Sequence, residues 1–258
     1  LFESFSGITS TGFTIFSDIK YLDPTLILWR SSSQWIGGFY FLVFLIFIFS
    51  NKQYNFKLCH LTYTGNIGSY STENIQKTIV KLLLIYLIIS ITIFILLNLG
   101  DIRLFNSLNL SMTLISNGGF LPTNNLSQII NEKNSIYFIM CLLISILNIF
   151  FFFNITNKKK IYSYHQEDLA LIVFLFFLSL ITTLTVSNFS LNEIIINILS
   201  CVANSGITIS NNIGNMSLFF VILTLIGGSV ISNSSGVKFI RVYILSKNTT
   251  AEILKLVR

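Results

Sequence analysis

Charged residues are scarce in this sequence of 258 residues, since Asp, Glu, Lys and Arg together make up only 10% of it. A soluble globular domain carries roughly 25% of such residues. Apolar residues here reach 53%, and the mean hydropathy is +0.76. Several apolar stretches approach the roughly 20 residues that cross a lipid bilayer. The composition therefore excludes an ordinary soluble domain and predicts an integral membrane protein.

Cysteine and histidine are also rare. The three cysteines, Cys59, Cys141 and Cys201, are isolated from one another, and the histidines are His60 and His165. Without a CxxC pair, this pattern indicates neither a disulfide framework nor a metal site. Because the loops also lack a nucleophile beside a base, the sequence predicts neither enzyme activity nor a cofactor.

Long apolar segments alternate with short, half-polar ones. The long segments cover residues 24–50, 78–99, 134–153, 169–186 and 216–245. The short segments, rich in Ser, Thr, Asn and Gly, cover residues 1–17, 104–125 and 191–214. Such polar backbone is stable at membrane depth only where protein buries it or where it lines a watery cavity. The pattern predicts an all-α polytopic membrane protein with about five transmembrane helices and three re-entrant pore segments.

Basic residues collect on one side of this predicted topology, and positively charged loops of membrane proteins stay in the cytoplasm. The cytoplasmic set comprises Lys52, Lys57, Lys77, Lys81, Lys158, Lys159, Lys160, Lys238, Arg241, Lys247, Lys255 and Arg258. The opposite side carries Lys20, Arg30, Arg103 and Lys133. All three short segments are therefore expected to open to the outside.

The short segments are versions of one motif, in which an apolar half-helix precedes two small polar residues and a glycine. The predicted turns are Ser10-Thr11-Gly12, Ser116-Asn117-Gly118 and Asn204-Ser205-Gly206. Glycine reaches φ > 0 at no steric cost, so successive backbone carbonyls can face one axis and replace the water around a cation. The half-helix also points the negative end of its dipole at such a site. We interpret the turns as parts of a cation filter.

The stretches that contain these turns resemble the TrkH/KtrB potassium transporter subunits of the Trk/Ktr/HKT superfamily. The resemblance rests on FESFSGITSTGFTIF (2–16), LILWRSSSQWIGGFYFLVF (26–44), KTIVKLLLIYLIIS (77–90), SNGGFLPTNN (116–125), HQEDLALIVF (165–174), ANSGIT (203–208) and IGGSVISNSSGVKFIRVYIL (226–245). It implies potassium uptake through a filter of backbone carbonyls. Members of the family have four repeats around one pore, so we expect a partial chain that lacks the N-terminal spans and the fourth repeat.

The same resemblance implies an organisation and partners for the chain. Its units are the later part of repeat one (1–50), a cytoplasmic linker (51–77), repeat two (78–156), a cytoplasmic basic loop (157–168), repeat three (169–246) and a cytoplasmic tail (247–258). It also implies a lipid-embedded homodimer in the bacterial inner membrane, with a cytosolic nucleotide-binding regulatory subunit and no nucleic-acid partner. Potassium would be the substrate.

A loop of small residues inside the last span acts as a gate in this family. The corresponding residues here are Gly227, Gly228, Ser232, Asn233, Ser234, Ser235 and Gly236. The family pattern is richer in glycine, and Ile231, Ser234 and Ser235 stand where glycines are expected. A helix-packing stripe of small residues is the alternative interpretation.

Glu3 and Arg30 both lie in stretches that match the family, and charged residues within membranes usually pair. We predict an ion pair between them that braces the first turn. Two separate interfacial charges in water are the alternative.

Three functions stay open at this stage. The leading prediction is potassium uptake. The alternatives are a secondary transporter for another cation such as sodium, and a non-functional remnant of a split potassium transporter gene. Secondary transporters often use inverted repeats, whereas the repeats here run in the same sense, which favours a channel-like pore.

Overall fold

The computed structural model describes residues 1–50, 75–156, 165–185, 190–209 and 217–257. Several residues singled out above lie outside this part of the chain, namely Lys52, Lys57, Cys59, His60, Lys158, Lys159, Lys160 and Arg258. Within the described ranges the polypeptide is mostly helical.

Ten α-helices follow one another in the described residues. They are α1 Phe2–Ile8, α2 Pro24–Ser50, α3 Ile75–Leu99, α4 Leu104–Ser116, α5 Ser135–Ile146, α6 Ile149–Thr156, α7 Gln166–Thr185, α8 Leu191–Ala203, α9 Ser217–Thr224 and α10 Phe239–Val257. Two short strands, β1 Ile226–Gly227 and β2 Val237–Lys238, pair in parallel between α9 and α10. The all-α fold class predicted from the sequence is confirmed.

Two helices among the described residues are long and apolar enough to cross a membrane, α3 over Ile79–Leu99 and α7 over Gln166–Thr185. Fewer than a third of the residues in their most apolar stretches are buried within the protein. Ile88, Phe176 and Leu184, for example, are 60%, 63% and 79% exposed. A soluble protein rarely exposes so much contiguous apolar surface, and lipid is the environment that it fits.

Helices α4 and α8 each pack against three other helices. Helix α4 packs against α2, α3 and α5, whereas α8 packs against α5, α7 and α9, and α1 lies on α2. Both α4 and α8 bury polar residues, including Asn109 and Ser200. Asn109 Nδ2 donates to the Phe105 carbonyl at 2.7 Å, a local bond that satisfies this amide donor away from water. The polar residues of α4 and α8 are thus buried by protein, as their depth in a membrane requires.

Two of the long apolar segments are interrupted. The chain leaves the helix at Leu147 and Asn148, between α5 and α6, which the apolar sequence of 134–153 does not indicate. The Asn148 side chain accepts a hydrogen bond from Phe150 N at 2.9 Å, a local bond that competes with helix continuation. Residues 225–238 likewise separate α9 from α10. Both spans therefore contain non-helical backbone that needs hydrogen-bonding partners.

Helix ends also differ from the unit boundaries predicted from the sequence. Helix α3 begins at Ile75, inside the predicted linker 51–77, and α7 begins at Gln166, inside the predicted basic loop 157–168. Helix α10 continues to Val257, through most of the predicted tail 247–258. Hydropathy marks the apolar part of a helix, whereas polar residues such as Gln, Lys and Glu prolong the same helix readily.

Gly37 allows close contact between α1 and α2, because a Cβ at this position would overlap the Ile8 carbonyl group. We expect Gly37→Ala to lower the free energy of unfolding by about 1–3 kcal/mol, the usual cost of overpacking a tight contact. Thermal unfolding of the purified protein in detergent measures the effect. Ile36→Ala is the matched control, since Ile36 is 45% exposed. Equal shifts for the two variants would contradict the close packing.

Candidate functional site

The helices α1, α4 and α8 end in the same backbone geometry. A non-glycine residue at each end adopts the left-handed conformation, Ser10 with φ 52°, Asn117 with φ 52° and Asn204 with φ 57°. Its N–H donates to the carbonyl three residues earlier, and the next N–H donates to the carbonyl five residues before it. This is the Schellman pattern, which closes a helix on a left-handed residue. The repeat seen in the sequence is therefore also a repeat of backbone conformation.

A glycine with positive φ follows two positions later in every repeat. These glycines are Gly12 (φ 79°), Gly119 (φ 81°) and Gly206 (φ 66°). A large apolar residue comes directly after each of them: Phe13, Phe120 and Ile207. Each turn thus consists of a left-handed cap, a middle residue and a left-handed glycine.

The second turn is shifted by one residue from the predicted Ser116-Asn117-Gly118. Ser116 is the last residue of α4, and its hydroxyl donates to the Met112 carbonyl at 2.9 Å. The triplet equivalent to the first and third turns is Asn117-Gly118-Gly119. Sequence alignment could not separate the two registers, because Gly118 and Gly119 are adjacent and small polar residues precede both. The backbone dihedrals decide between them.

The three turns lie against one another in chain order. A Cβ on Gly12 would overlap the carbonyl oxygen of Gly118, and a Cβ on Gly119 would overlap that of Ser205. The glycine of one turn therefore fits against the middle carbonyl of the next. A Cβ on Gly206 would have no atom of the described residues within 4 Å, apart from atoms of its own chain neighbours. The turns form an arc that is open on this side.

Most backbone carbonyls in the arc accept no hydrogen bond. The Gly118 oxygen is the exception, since it accepts from Gln34 Nε2 at 2.6 Å. Within the described ranges, no donor reaches the carbonyls of Ser10, Thr11, Gly12, Asn117, Gly119, Asn204, Ser205 and Gly206. Of these residues Asn117 and Ser205 are buried, whereas Thr11 and Gly206 are exposed. Buried carbonyl groups in proteins are nearly always paired. Unpaired oxygens gathered at three adjoining turns therefore provide ligands for a cation or for water.

One cavity of about 490 Å³ connects the three helix ends. Ser10, Asn117 and Asn204 line it together with Asn233 and Ser235 of the 225–238 loop. All of its lining side chains are uncharged, and the described residues contain no group of three His, Cys, Asp or Glu that could hold a metal ion. The carboxyl ends of three helix dipoles approach this cavity, and these ends favour positive charge.

The 225–238 loop is bonded to the end of α4. Asn233 Nδ2 donates to the Ile115 carbonyl at 2.7 Å. The side-chain amide of Asn117 is oriented so that both its oxygen and its nitrogen have partners. The oxygen accepts from Ser234 N at 3.2 Å, and the nitrogen donates to Ser145 Oγ at 3.0 Å. The second turn and this loop thus share direct hydrogen bonds across the cavity wall.

Small residues within the loop bond mainly to one another. Gly228 N donates to Ser234 Oγ at 2.8 Å, and the hydroxyls of Ser232 and Ser234 lie 2.8 Å apart. Gly227 belongs to β1, and Gly236 has φ 78°. The predicted gate residues therefore form a non-helical, internally bonded segment beside the cavity.

Glu3 and Arg30 pair within the protein. Arg30 Nε donates to Glu3 Oε2 at 3.0 Å. The side chain of Arg30 is 1% exposed, and that of Glu3 is 10% exposed. The other Glu3 oxygen accepts from Thr14 Oγ1 at 2.6 Å and from Ile15 N at 2.8 Å. The guanidinium carbon of Arg30 lies 4.2 Å from the ring centroid of Phe120, a cation–π contact. The pair connects α1 and α2 with the segments that follow the first and second turns.

Gln34 is a site residue that sequence reasoning missed. It is completely buried on α2. Its Nε2 donates to the Gly118 carbonyl, and its Oε1 accepts from Phe120 N at 3.2 Å. Gln34 thus holds the second turn on both sides of Gly119. The available signal was a polar residue in an apolar span, four positions after Arg30 and so on the same helix face.

Comparison with known proteins gives relatives along the entire chain, although no family model matches it. Over 264 residues the chain is 29% identical to an uncharacterized cation transporter of Methanocaldococcus jannaschii, covering 100% of this chain and 54% of that protein. The Trk system potassium uptake proteins TrkH of Halomonas elongata and Escherichia coli are 24% and 27% identical to it. This chain matches 56% of the length of each. It therefore spans about half the length of these curated relatives.

A solved structure shows the same fold. The crystal structure of the potassium transporter TrkH from Vibrio parahaemolyticus superposes with a TM-score of 0.79 at 24% identity, over 99% of this chain and 55% of that one. The shared fold and the related sequences confirm the resemblance to Trk-type transporter subunits that was inferred from the sequence.

The Glu3–Arg30 pair is testable by a double-mutant cycle. We expect Arg30→Met to lower the free energy of unfolding by about 3–5 kcal/mol, because it leaves a largely buried carboxylate without its cation. Adding Glu3→Gln should recover part of this loss, with a coupling of about 0.5–3 kcal/mol. Chemical unfolding in detergent gives these values, and Arg103→Met, at an exposed arginine, is the control. Strictly additive effects of the two substitutions would rule out the pair as a brace.

Proposed function

We propose that this chain supplies three of the four filter turns of a Trk-type transporter that carries potassium into the cell. The arc of three stacked turns, with its unpaired carbonyls beside one cavity, is the observation that carries the proposal. A cation leaves its hydration shell when protein oxygens replace the water molecules. Potassium is the ion named because TrkH relatives are potassium uptake proteins and because every turn retains its glycine.

The filter ligands in this proposal are backbone oxygens of Ser10-Thr11-Gly12, Asn117-Gly118-Gly119 and Asn204-Ser205-Gly206. Left-handed residues at the first and third position of each turn give successive carbonyls the directions that a regular helix or strand forbids. Gln34 and the Glu3–Arg30 pair keep the turns in place. Behind the filter, the ion enters the cavity, where three helix carboxyl ends stabilise it. The loop with Asn233 and Ser235 is the gate that it must then pass.

The open side of the arc beside Gly206 is where a fourth equivalent turn would complete the ring. Relatives of nearly twice this length have room for such a turn. Equivalent carbonyl oxygens of the turns would surround the ion in layers, with one oxygen from each turn. With only three turns, one side of the ion in each layer would stay in contact with water. The described chain by itself is therefore not expected to select potassium.

The membrane setting and the partners belong to the same proposal. The chain lies in the bacterial inner membrane, with the filter turns outside and the basic connections in the cytoplasm. Basic residues at the start of α3 and on α10 support this orientation by the positive-inside rule; they are Lys77, Lys81, Arg241, Lys247 and Lys255. A homodimer and a cytosolic nucleotide-binding regulatory subunit complete the assembly, as the family resemblance implies.

Gly119 tests both the filter and its corrected register. In a longer transporter that contains this chain, Gly119→Ala is expected to reduce potassium uptake at least about tenfold, because alanine is strained at φ 81° and would overlap the carbonyl oxygen of Ser205. Uptake is measured by growth rescue and ion flux in a potassium-uptake-deficient bacterium at low external potassium. Ser127→Ala, at an exposed position in the same outer segment, is the control. Unchanged uptake by Gly119→Ala would exclude the filter assignment.

Gly206 separates the three-turn arc from a complete ring. In the isolated chain, Gly206→Ala should destabilise less than Gly119→Ala, because nothing described packs against it. In the longer transporter, Gly206→Ala should reduce potassium uptake as strongly as Gly119→Ala does, because a fourth turn would there pack against Gly206. The isolated chain is expected to give no rescue. Rescue by the isolated chain would contradict the need for a fourth turn.

The orientation is testable by thiol labelling of intact cells. In a background with Cys59→Ser and Cys201→Ser, Lys133→Cys should react with a membrane-impermeant maleimide from outside. Lys247→Cys should react only after the cells are permeabilised. Cys141 is 0% exposed and stays in place as an internal blank. The opposite labelling pattern would invert the proposed topology.

A further inference from the structure

The break between α5 and α6 contacts the loop between α9 and α10 through backbone hydrogen bonds. Ser229 N donates to the Ile146 carbonyl at 3.1 Å, and Ile149 N donates to the Ile231 carbonyl at 3.1 Å. A Cβ on Gly228 would overlap the same Ile146 carbonyl, so the contact is tight. The two interruptions of transmembrane helices therefore satisfy part of each other's backbone, as a water-poor environment requires.

Two adjacent carboxylates at the start of α7 bind further amides of these two segments. Glu167 Oε1 accepts from Val230 N at 3.1 Å, and Asp168 Oδ1 accepts from Asn148 N at 3.1 Å. Glu167 is 1% exposed and Asp168 is 0% exposed. A buried amide without an acceptor costs free energy, so each carboxylate stabilises the break that it contacts. Together they join α7 to both interruptions.

Two further side chains complete this arrangement. His165 Nδ1 lies 2.8 Å from Asp168 Oδ2, which fixes the orientation of that carboxylate. Lys238 Nζ donates to the carbonyl oxygens of Ser232 and Ser234. The loop is therefore held through an amide by the carboxyl group of Glu167 on its first half, and through carbonyls by the amino group of Lys238 on its second half.

We infer that Glu167 and Asp168 form a clamp, a pair of positioning residues through which the start of α7 sets the conformation of the 225–238 loop. With Glu167 in place, Val230 is anchored, and Asn233 and Ser235 stay at the cavity. Movement of the start of α7 withdraws the acceptor from Val230 and frees the loop. The clamp itself does not depend on the proposed function. Only the further step, in which the freed loop opens an ion path, rests on it.

The clamp is tested by hydrogen–deuterium exchange with mass spectrometry on the chain in lipid nanodiscs. Glu167→Ala should speed amide exchange about tenfold in peptides covering 228–232, because Val230 N loses its acceptor. Asp168→Ala should do so in peptides covering 146–150. Gln166→Ala, at the exposed neighbouring residue, is the matched control, and peptides of α4 over 104–116 report whether the fold is intact.

Glu167→Gln keeps the test decisive if the alanine variant unfolds, since its amide oxygen can still accept from Val230. We expect its exchange in 228–232 to stay within about threefold of the unmodified chain. Exchange in 228–232 that is unchanged in Glu167→Ala, or that rises equally in Gln166→Ala, would overturn the clamp.

Ion flux in the longer transporter distinguishes a clamp on a gate from a purely structural contact. Glu167→Ala should raise potassium flux per folded molecule several-fold, because the freed loop leaves the cavity more often. A purely structural residue would lower the flux, and a lowered flux would overturn the gating half of the inference. Absence of flux even in the unmodified transporter would instead count against the proposed function, while the exchange data still decide the clamp.

Discussion

The structure depends on one constraint, namely that backbone N–H and C=O groups need partners where water is scarce. The lipid-facing helices α3 and α7 meet it internally. The interruptions after Ile146 and after Thr224 meet it through each other and through Glu167, Asp168 and Lys238. Apart from that of Gly118, which accepts from Gln34, the carbonyls of the three turns are left unpaired within the described chain. Unpaired oxygens in such a fold are costly, and the proposed function gives them a transported cation as their partner.

The three turns also carry conformational cost. Each places a non-glycine residue in the left-handed region, at a cost of order 1–3 kcal/mol. Asn at two of these positions and Ser at the third are residues that tolerate this conformation better than branched ones. Packing of Gly12 and Gly119 against the middle carbonyl of the next turn makes the conformations of the three turns mutually dependent. Such over-determined strain is typical of functional sites rather than of ordinary surface loops.

The second turn and the 225–238 loop, the proposed filter and gate, are joined by short chains of contacts. The side chain of Asn117, the cap of α4, accepts from Ser234 N, and Asn233 donates to the carbonyl of Ile115, two residues before Asn117. On the far side of the loop, Glu167 holds Val230. A displacement at the start of α7 therefore reaches the cavity through a single loop. This gives the proposed gate a control point remote from the filter, with no need for a change in the turns themselves.

Local sequence determined the membrane class, the repeated turns, the small-residue loop and the Glu3–Arg30 partners, because hydropathy, glycine spacing and lone charges in apolar surroundings act locally. Only the tertiary structure decided the register Asn117-Gly118-Gly119, since two adjacent glycines are equivalent in sequence but not in φ. It also decided the break at Asn148 and the roles of Gln34 and Glu167. Each of those depends on a backbone group of another segment, between 63 and 86 residues away for the bonds of Glu167 and Gln34. No local pattern records such a partner, because the unpaired backbone group exists only once the chain has folded.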